Sequence, residues 1–194
     1  EDLRLVGLAT TTPPLEESML VPRLVRALDL PRGVTAASEA GSTAAGAAVI
    51  GRALDADGPA LAVVSDCPEG DPADTDARLG AGAAAFLVTD DPSVTVSGRA
   101  WHVDEYPGVR YRERGSREVD SLGITAYERD AMRTCVGRAV ERLGPGEIHA
   151  AALHQPDGRL PYRLARDLPV EPEAIKRGAV ADRTGDAGAA TVPL

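Results

Sequence analysis

The chain has 194 residues, 43% of them hydrophobic, and its 30 acidic and 21 basic residues give a net charge of −9. No apolar run approaches the ~20 residues of a membrane-spanning helix, so one or two soluble domains with a substantial core are expected and no membrane association. The excess of negative charge repels a polyanion over most of the surface, which argues against a nucleic-acid partner.

Lys176 is the single lysine, and the acidic, arginine-rich composition fits a salt-rich cytoplasm and a GC-rich genome equally well. Cys67 and Cys135 are far apart and lie in no CxxC or Cys/His pattern, so neither a disulfide framework nor a zinc site is expected, and a reducing cytoplasm is the simpler setting. Glu1 to Ala9 has neither the basic nor the long apolar region of a secretory signal. With no initiator Met, and a Gly-rich segment near Leu194 that reads as the approach to a further element, truncation at both ends is expected.

In chain order, Leu3–Leu8 has the length and composition of a strand, and apolar Leu20, Leu24, Ala27 and Leu28 give 15–28 the spacing of a helix. Pro31-Arg32-Gly33 breaks the chain. A brief strand over Val34–Ala37 then feeds a Gly/Ala-rich helix over 41–54, whose small residues allow close approach of other backbones. Ala60–Ser65 reads as a central strand, 66–76 as an acidic solvated loop, and Ala81–Thr89 as a strand that Val94–Gly98 pairs with. That acidic loop lacks the ligand register of a calcium-binding EF-hand. Charge and the Pro107-Gly108 turn make Trp101–Glu118 an irregular excursion. A helix over Thr125–Leu143, a buried strand over Ile148–Leu153, a helix over Arg159–Asp167 and a tight turn at 185–188 complete an α/β pattern.

Three places carry side chains suited to chemistry. Ser38, in Ala37-Ser38-Glu39-Ala40-Gly41, stands where a strand meets a helix. It reads either as a nucleophile near the helix's free N–H groups or as a simple N-cap. His154, in Leu153-His154-Gln155-Pro156-Asp157-Gly158, ends the expected buried strand, where ligands of open α/β sheets gather and an imidazole can donate to a carbonyl or move a proton; a structural His is the plainer reading. His102 and His149 lack that context and read as surface or fold residues. Asp186 lies in Arg183-Thr184-Gly185-Asp186-Ala187-Gly188, a turn whose N–H groups either face an anion or merely close a loop.

Taken in order, these segments resemble the archaeal-type branch of the hydroxymethylglutaryl-CoA synthase family, within the thiolase-like superfamily. The His-Gln-Pro segment resembles the family's F-H-Q-P-N-G-K box, Ala37–Gly41 its A-C-K-A-G elbow, Gly80–Ala85 one of its small-residue strands, and Thr184-Gly185-Asp186 its I-G-N-T-Y-S-G segment. The resemblance implies an incomplete thiolase-like fold of α/β/α/β/α layers, with 1–99 the remainder of the N-terminal half and 100–194 the start of the C-terminal half. It implies a homodimer, and association with a thiolase and a small zinc-ribbon/OB-fold protein. It implies an acyl-CoA as substrate or ligand, with no resident cofactor or metal.

In the family a Cys takes the acyl group, a Glu removes a proton from the acetyl methyl, and His and Asn hold the second substrate's carbonyl. Carried onto this chain, those positions fall at Ser38, Ala9, His154 and Asp186, so only the His is kept. Serine needs a general base to attack, alanine removes the proton acceptor, and aspartate exchanges a donor for an acceptor. The expectation is a catalytically degenerate subunit that binds acyl-CoA or serves as a scaffold. The alternatives are an acyltransferase or thioesterase built on Ser38, His154 and Asp186, and an active synthase-family acyltransferase.

Overall fold

The computed structural model describes residues 3–70 and 78–194, so most of the acidic loop expected at 66–76 lies outside the described residues. The chain forms two compact units that interleave along the sequence. One comprises Glu1–Pro68, Gly80–Val94 and Ala187–Leu194; the other comprises Glu69–Leu79 and Thr95–Asp186. Halves drawn on chain order alone, 1–99 and 100–194, group the residues differently: contacts assign 69–79 to the later unit and return 187–194 to the earlier one.

In the first unit, β1 (Leu5–Ala9), α1 (Val21–Ala27), β2 (Thr35–Glu39), α2 (Ala45–Leu54), β3 (Ala60–Asp66) and β4 (Gly82–Val88) build a four-stranded sheet of order β2-β1-β3-β4. β1 pairs in parallel with β2 and β3, and β4 runs antiparallel to β3. The strand period of two sends Leu5 and Ala9 into a cluster with Ala45, Val49 and Ala53 of α2, while Val6 packs with Val21 and Val25 of α1. Small residues set the spacing. A Cβ on Gly7 would stand 2.5 Å from Val49 Cγ2, and one on Gly46 would stand 2.3 Å from the Ala189 carbonyl oxygen.

Both helices start later than their periodicity suggests. Pro22 is accommodated only in a first turn, so α1 begins at Val21 and leaves 15–20 outside it. Before α2, Gly41 takes φ +81° and Ser42 Oγ accepts from the Ala44 N–H at 3.1 Å, so a turn occupies 40–44. The strand expected over Val94–Gly98 does not form. Val94 and Val96 are 82% and 53% exposed, so a strand there would have no face to bury.

The second unit is irregular through the expected excursion, where Tyr111 and Asp120 form an isolated antiparallel bridge. Helices α3 (Thr125–Leu143), α4 (Leu160–Leu164), α5 (Pro172–Arg177) and α6 (Ala181–Thr184) follow. Met132, Val136 and Val140 recur at helical spacing along α3 and pack against Leu160, Leu164, Leu168 and Ile175. Gly144 ends α3 in the left-handed conformation, donating to the Val140 carbonyl. The buried strand expected over Ile148–Leu153 is irregular instead. Ala151 N–H donates to Ala174 of α5 at 3.0 Å, so these apolar residues join the core alongside a helix with no partner strand. α4 stops at Leu164, short of Asp167, with Pro169 close behind. No helix of the described residues is long and apolar enough to cross a membrane.

Candidate functional site

The His-Gln-Pro loop assigns most of its polar atoms to holding itself. Gln155 is 2% exposed; its Nε2 donates to the Gly178 carbonyl at 3.0 Å, and its Oε1 accepts from Val180 and Ala181 N–H at 3.0 and 2.9 Å, capping the start of α6. Asp157 Oδ1 accepts from Arg159 and Leu160 N–H at 2.6 and 2.7 Å, where α4 begins. His154 differs: its Nδ1 is buried and has no hydrogen-bond partner. Burial holds its imidazole below the ordinary range, with Asp186 pulling the other way and Arg110 adding to the depression, so the neutral ring is favoured.

Asp186, 2% exposed, belongs to the same unit. Its N–H donates to the Arg78 carbonyl at 2.8 Å, and Gly185 precedes it at φ +66°, where a Cβ would stand 2.9 Å from the Leu79 backbone. The Asp186 carboxylate is bonded to Arg110 Nη1. The other terminal nitrogen of Arg110, Nη2, is buried and without a partner. His154, Arg110 and Asp186 all line a cavity of about 160 Å3, with Met132 and Leu160 among its apolar walls. The structure therefore brings two of the three sequence-derived candidates together and adds Arg110, which lies 76 residues from Asp186 inside the irregular excursion.

Ser38 belongs to the first unit. It is exposed within the edge strand β2, opposite Leu8, and α2 begins only at Ala45. Ser38 is therefore not the N-cap of α2, and Ser42 serves the turn before that helix. Ala9 closes β1 and is fully buried. Beyond it Thr10, Thr11 and Thr12 gather around Asp66, 3% exposed at the end of β3. Thr10 Oγ1, Thr11 N–H, Thr12 N–H and Thr12 Oγ1 donate to Oδ1 at 2.6–3.1 Å, while Thr11 Oγ1 and Ala189 N–H donate to Oδ2 at 2.8 and 2.7 Å. That network was not read from sequence, although three consecutive threonines after an apolar strand are a signal for it. His102, read as a surface or fold residue, has both ring nitrogens buried and without a hydrogen bond, Nε2 lying 4.0 Å from Asp104 Oδ2, whereas His149 is exposed. No group of His, Cys, Asp and Glu among the described residues is arranged to hold a metal ion.

No protein-family model matches the chain. It is 31% identical over 135 residues to the hydroxymethylglutaryl-CoA synthase of Methanopyrus kandleri, an alignment that covers 65% of this chain and 38% of that protein. Among solved structures, a hydroxymethylglutaryl-CoA synthase complexed with CoA superposes with a TM-score of 0.82 at 15% identity, over 99% of this chain and 55% of that one. A synthase (MvaS) in complex with 3-hydroxy-3-methylglutaryl-CoA gives 0.77 at 16%, over 98% and 58%. A 3-oxoacyl-(acyl-carrier-protein) synthase III gives 0.68 at 15%, over 100% and 68%. The chain thus spans under two fifths of the curated relative it matches and a little over half of each of the two synthase structures. Sequence identity relates this chain to hydroxymethylglutaryl-CoA synthase over part of that protein's length, and the solved structures give it a thiolase-like α/β fold.

Proposed function

We propose that the chain binds an acyl-CoA through the cavity of its second unit and has lost the carbon–carbon bond formation of its relatives. The observation that carries this reading is the fully buried Ala9 at the position where the resemblance places the proton-abstracting carboxylate. Such a base is worth ~10²–10⁴-fold in rate. Asp66, the buried carboxylate of the same unit, is no substitute, because both its oxygens are occupied by threonine and backbone donors. Ligand binding is supported by the retained His154 cavity, and by two structural neighbours solved with CoA or hydroxymethylglutaryl-CoA. A homodimer, the thiolase and zinc-ribbon/OB-fold partners, and a cytoplasmic setting belong to the same proposal.

The exposure of Ser38 favours a second reading, in which its hydroxyl accepts an acyl group. Intact-mass measurement after incubation with a panel of acyl-CoAs separates the two, alongside calorimetric titration with CoA. Binding without an adduct is expected. An adduct that vanishes in Ser38→Ala would replace the binding reading with an acyl-enzyme. A condensation product from acetyl-CoA and acetoacetyl-CoA would restore full synthase chemistry and overturn both.

A further inference from the structure

We propose that Arg110 is the hydrogen-bond donor to the acyl carbonyl oxygen in the second-unit cavity, acting beside His154 and supplying the donor that Asp186 lacks; this rests on the acyl-CoA reading above. A carboxylate is an acceptor only, so Asp186 alone would repel a carbonyl oxygen and still more an oxyanion. The bond from Arg110 Nη1 changes that balance. It neutralises the carboxylate and fixes the planar guanidinium by one arm, which leaves Nη2 as a donor of set direction.

Arg110 Nη2 and His154 Nδ1 are both buried, both without a partner, and both belong to residues lining the same cavity. The large majority of buried side-chain polar atoms have a hydrogen-bond partner, so two exceptions on one cavity match a ligand that brings its own polar atom. The lining has as many arginines as carboxylates, which suits a neutral carbonyl better than a free anion. His154, held neutral by burial, adds a second polar contact without adding charge. The functional unit is therefore an arginine–aspartate pair that does the work of one amide, with Arg110 touching the substrate and Asp186 positioning it.

The test compares binding of acetyl-CoA with that of S-ethyl-CoA, the thioether that lacks the carbonyl oxygen, by titration of the whole chain. A buried charge-assisted hydrogen bond predicts tighter binding of acetyl-CoA by ~10-fold or more. Arg110→Lys keeps the ion pair with Asp186 but removes the second arm, so it is expected to melt like the parent and to lose most of the preference. Arg110→Lys that keeps the preference would overturn Arg110 as the donor and leave acyl-CoA binding intact. Equal binding of the two probes by the unsubstituted chain would also overturn it while sparing that reading. Binding of neither probe would overturn the acyl-CoA reading and this inference with it.

Discussion

Two buried aspartates, one in each unit, are held in opposite ways. Asp66 is surrounded by neutral donors on three threonines and two stretches of backbone, every bond serving to fasten the ends of β1 and β3 and the 187–190 segment. Asp186 is held by a cation whose second arm has no partner. A carboxylate enclosed by backbone and hydroxyl donors is a structural joint, since its loss would take the acceptor from several of them at once. A carboxylate enclosed by a guanidinium with a spare donor is a way of aiming that donor. Two residues of one type and similar burial thus diverge because their partners do.

The contrast can be broken most directly at Asp66. Asp66→Ala should cost about 3 kcal/mol or more, read as a lowered urea midpoint, because several buried donors lose their acceptor together; a loss under about 1 kcal/mol would deny it the role of a joint. Arg110→Gln should cost about 2 kcal/mol by removing the charged partner of the buried Asp186 carboxylate, a figure reduced from the fully buried case because the guanidinium side chain is 21% exposed. Adding Asp186→Asn should restore most of that loss, and failure of the double variant to recover would remove the pair from the account.

Packing gives a smaller contrast between the two units. Gly46→Ala drives a methyl to 2.3 Å from the Ala189 carbonyl oxygen and should lower stability by about 2 kcal/mol. Gly137→Ala, in α3 with nothing near its Cβ position, should raise it by about 0.5–1 kcal/mol. The pair is measured by thermal melting, and equal signs would sink the comparison. The smallest effect is a pH slope. His154 titrates below its ordinary value of 6.5 in the folded chain, so the unfolded chain binds the extra proton first as pH falls. Its contribution to stability is complete above about pH 7.5 and declines through 6.5 toward its lower folded value. Urea midpoints compared with His154→Gln between pH 7.5 and 5.5 should therefore converge toward the acid end, and parallel lines would show that His154 is not desolvated.

Much of this was legible where local pattern and tertiary role coincide. α3 is read to its exact ends, Thr125 and Leu143, because its apolar residues recur at helical spacing and Gly144 stops it. β3 and β4 are read because short apolar runs of strand length are bounded by turn residues. Ile148–Leu153 fails for the opposite reason: its apolar content signals burial, but only the fold decides that Ala151 bonds to a helix. His154 and Asp186 could be nominated from the resemblance, whereas Arg110 could not. It is one of several arginines in a charged, irregular stretch, and nothing local marks the one that meets Asp186 76 residues later. Asp66 likewise reads as part of the acidic loop after it, because its threonine donors lie some 55 residues upstream.

The bond from Ala189 to Asp66 joins residues 123 apart, and Ala187, Ala189 and Ala190 are wholly enclosed in the first unit's core. The helices of the second unit lie between those partners in the chain and have been synthesised before Ala189 is available. Closing so long a loop is slow compared with forming the nearby contacts among α3, α4 and α5. On the ribosome the second unit's helical core can therefore consolidate through Ile175 before Ala189 is there to bond Asp66 at the end of β3.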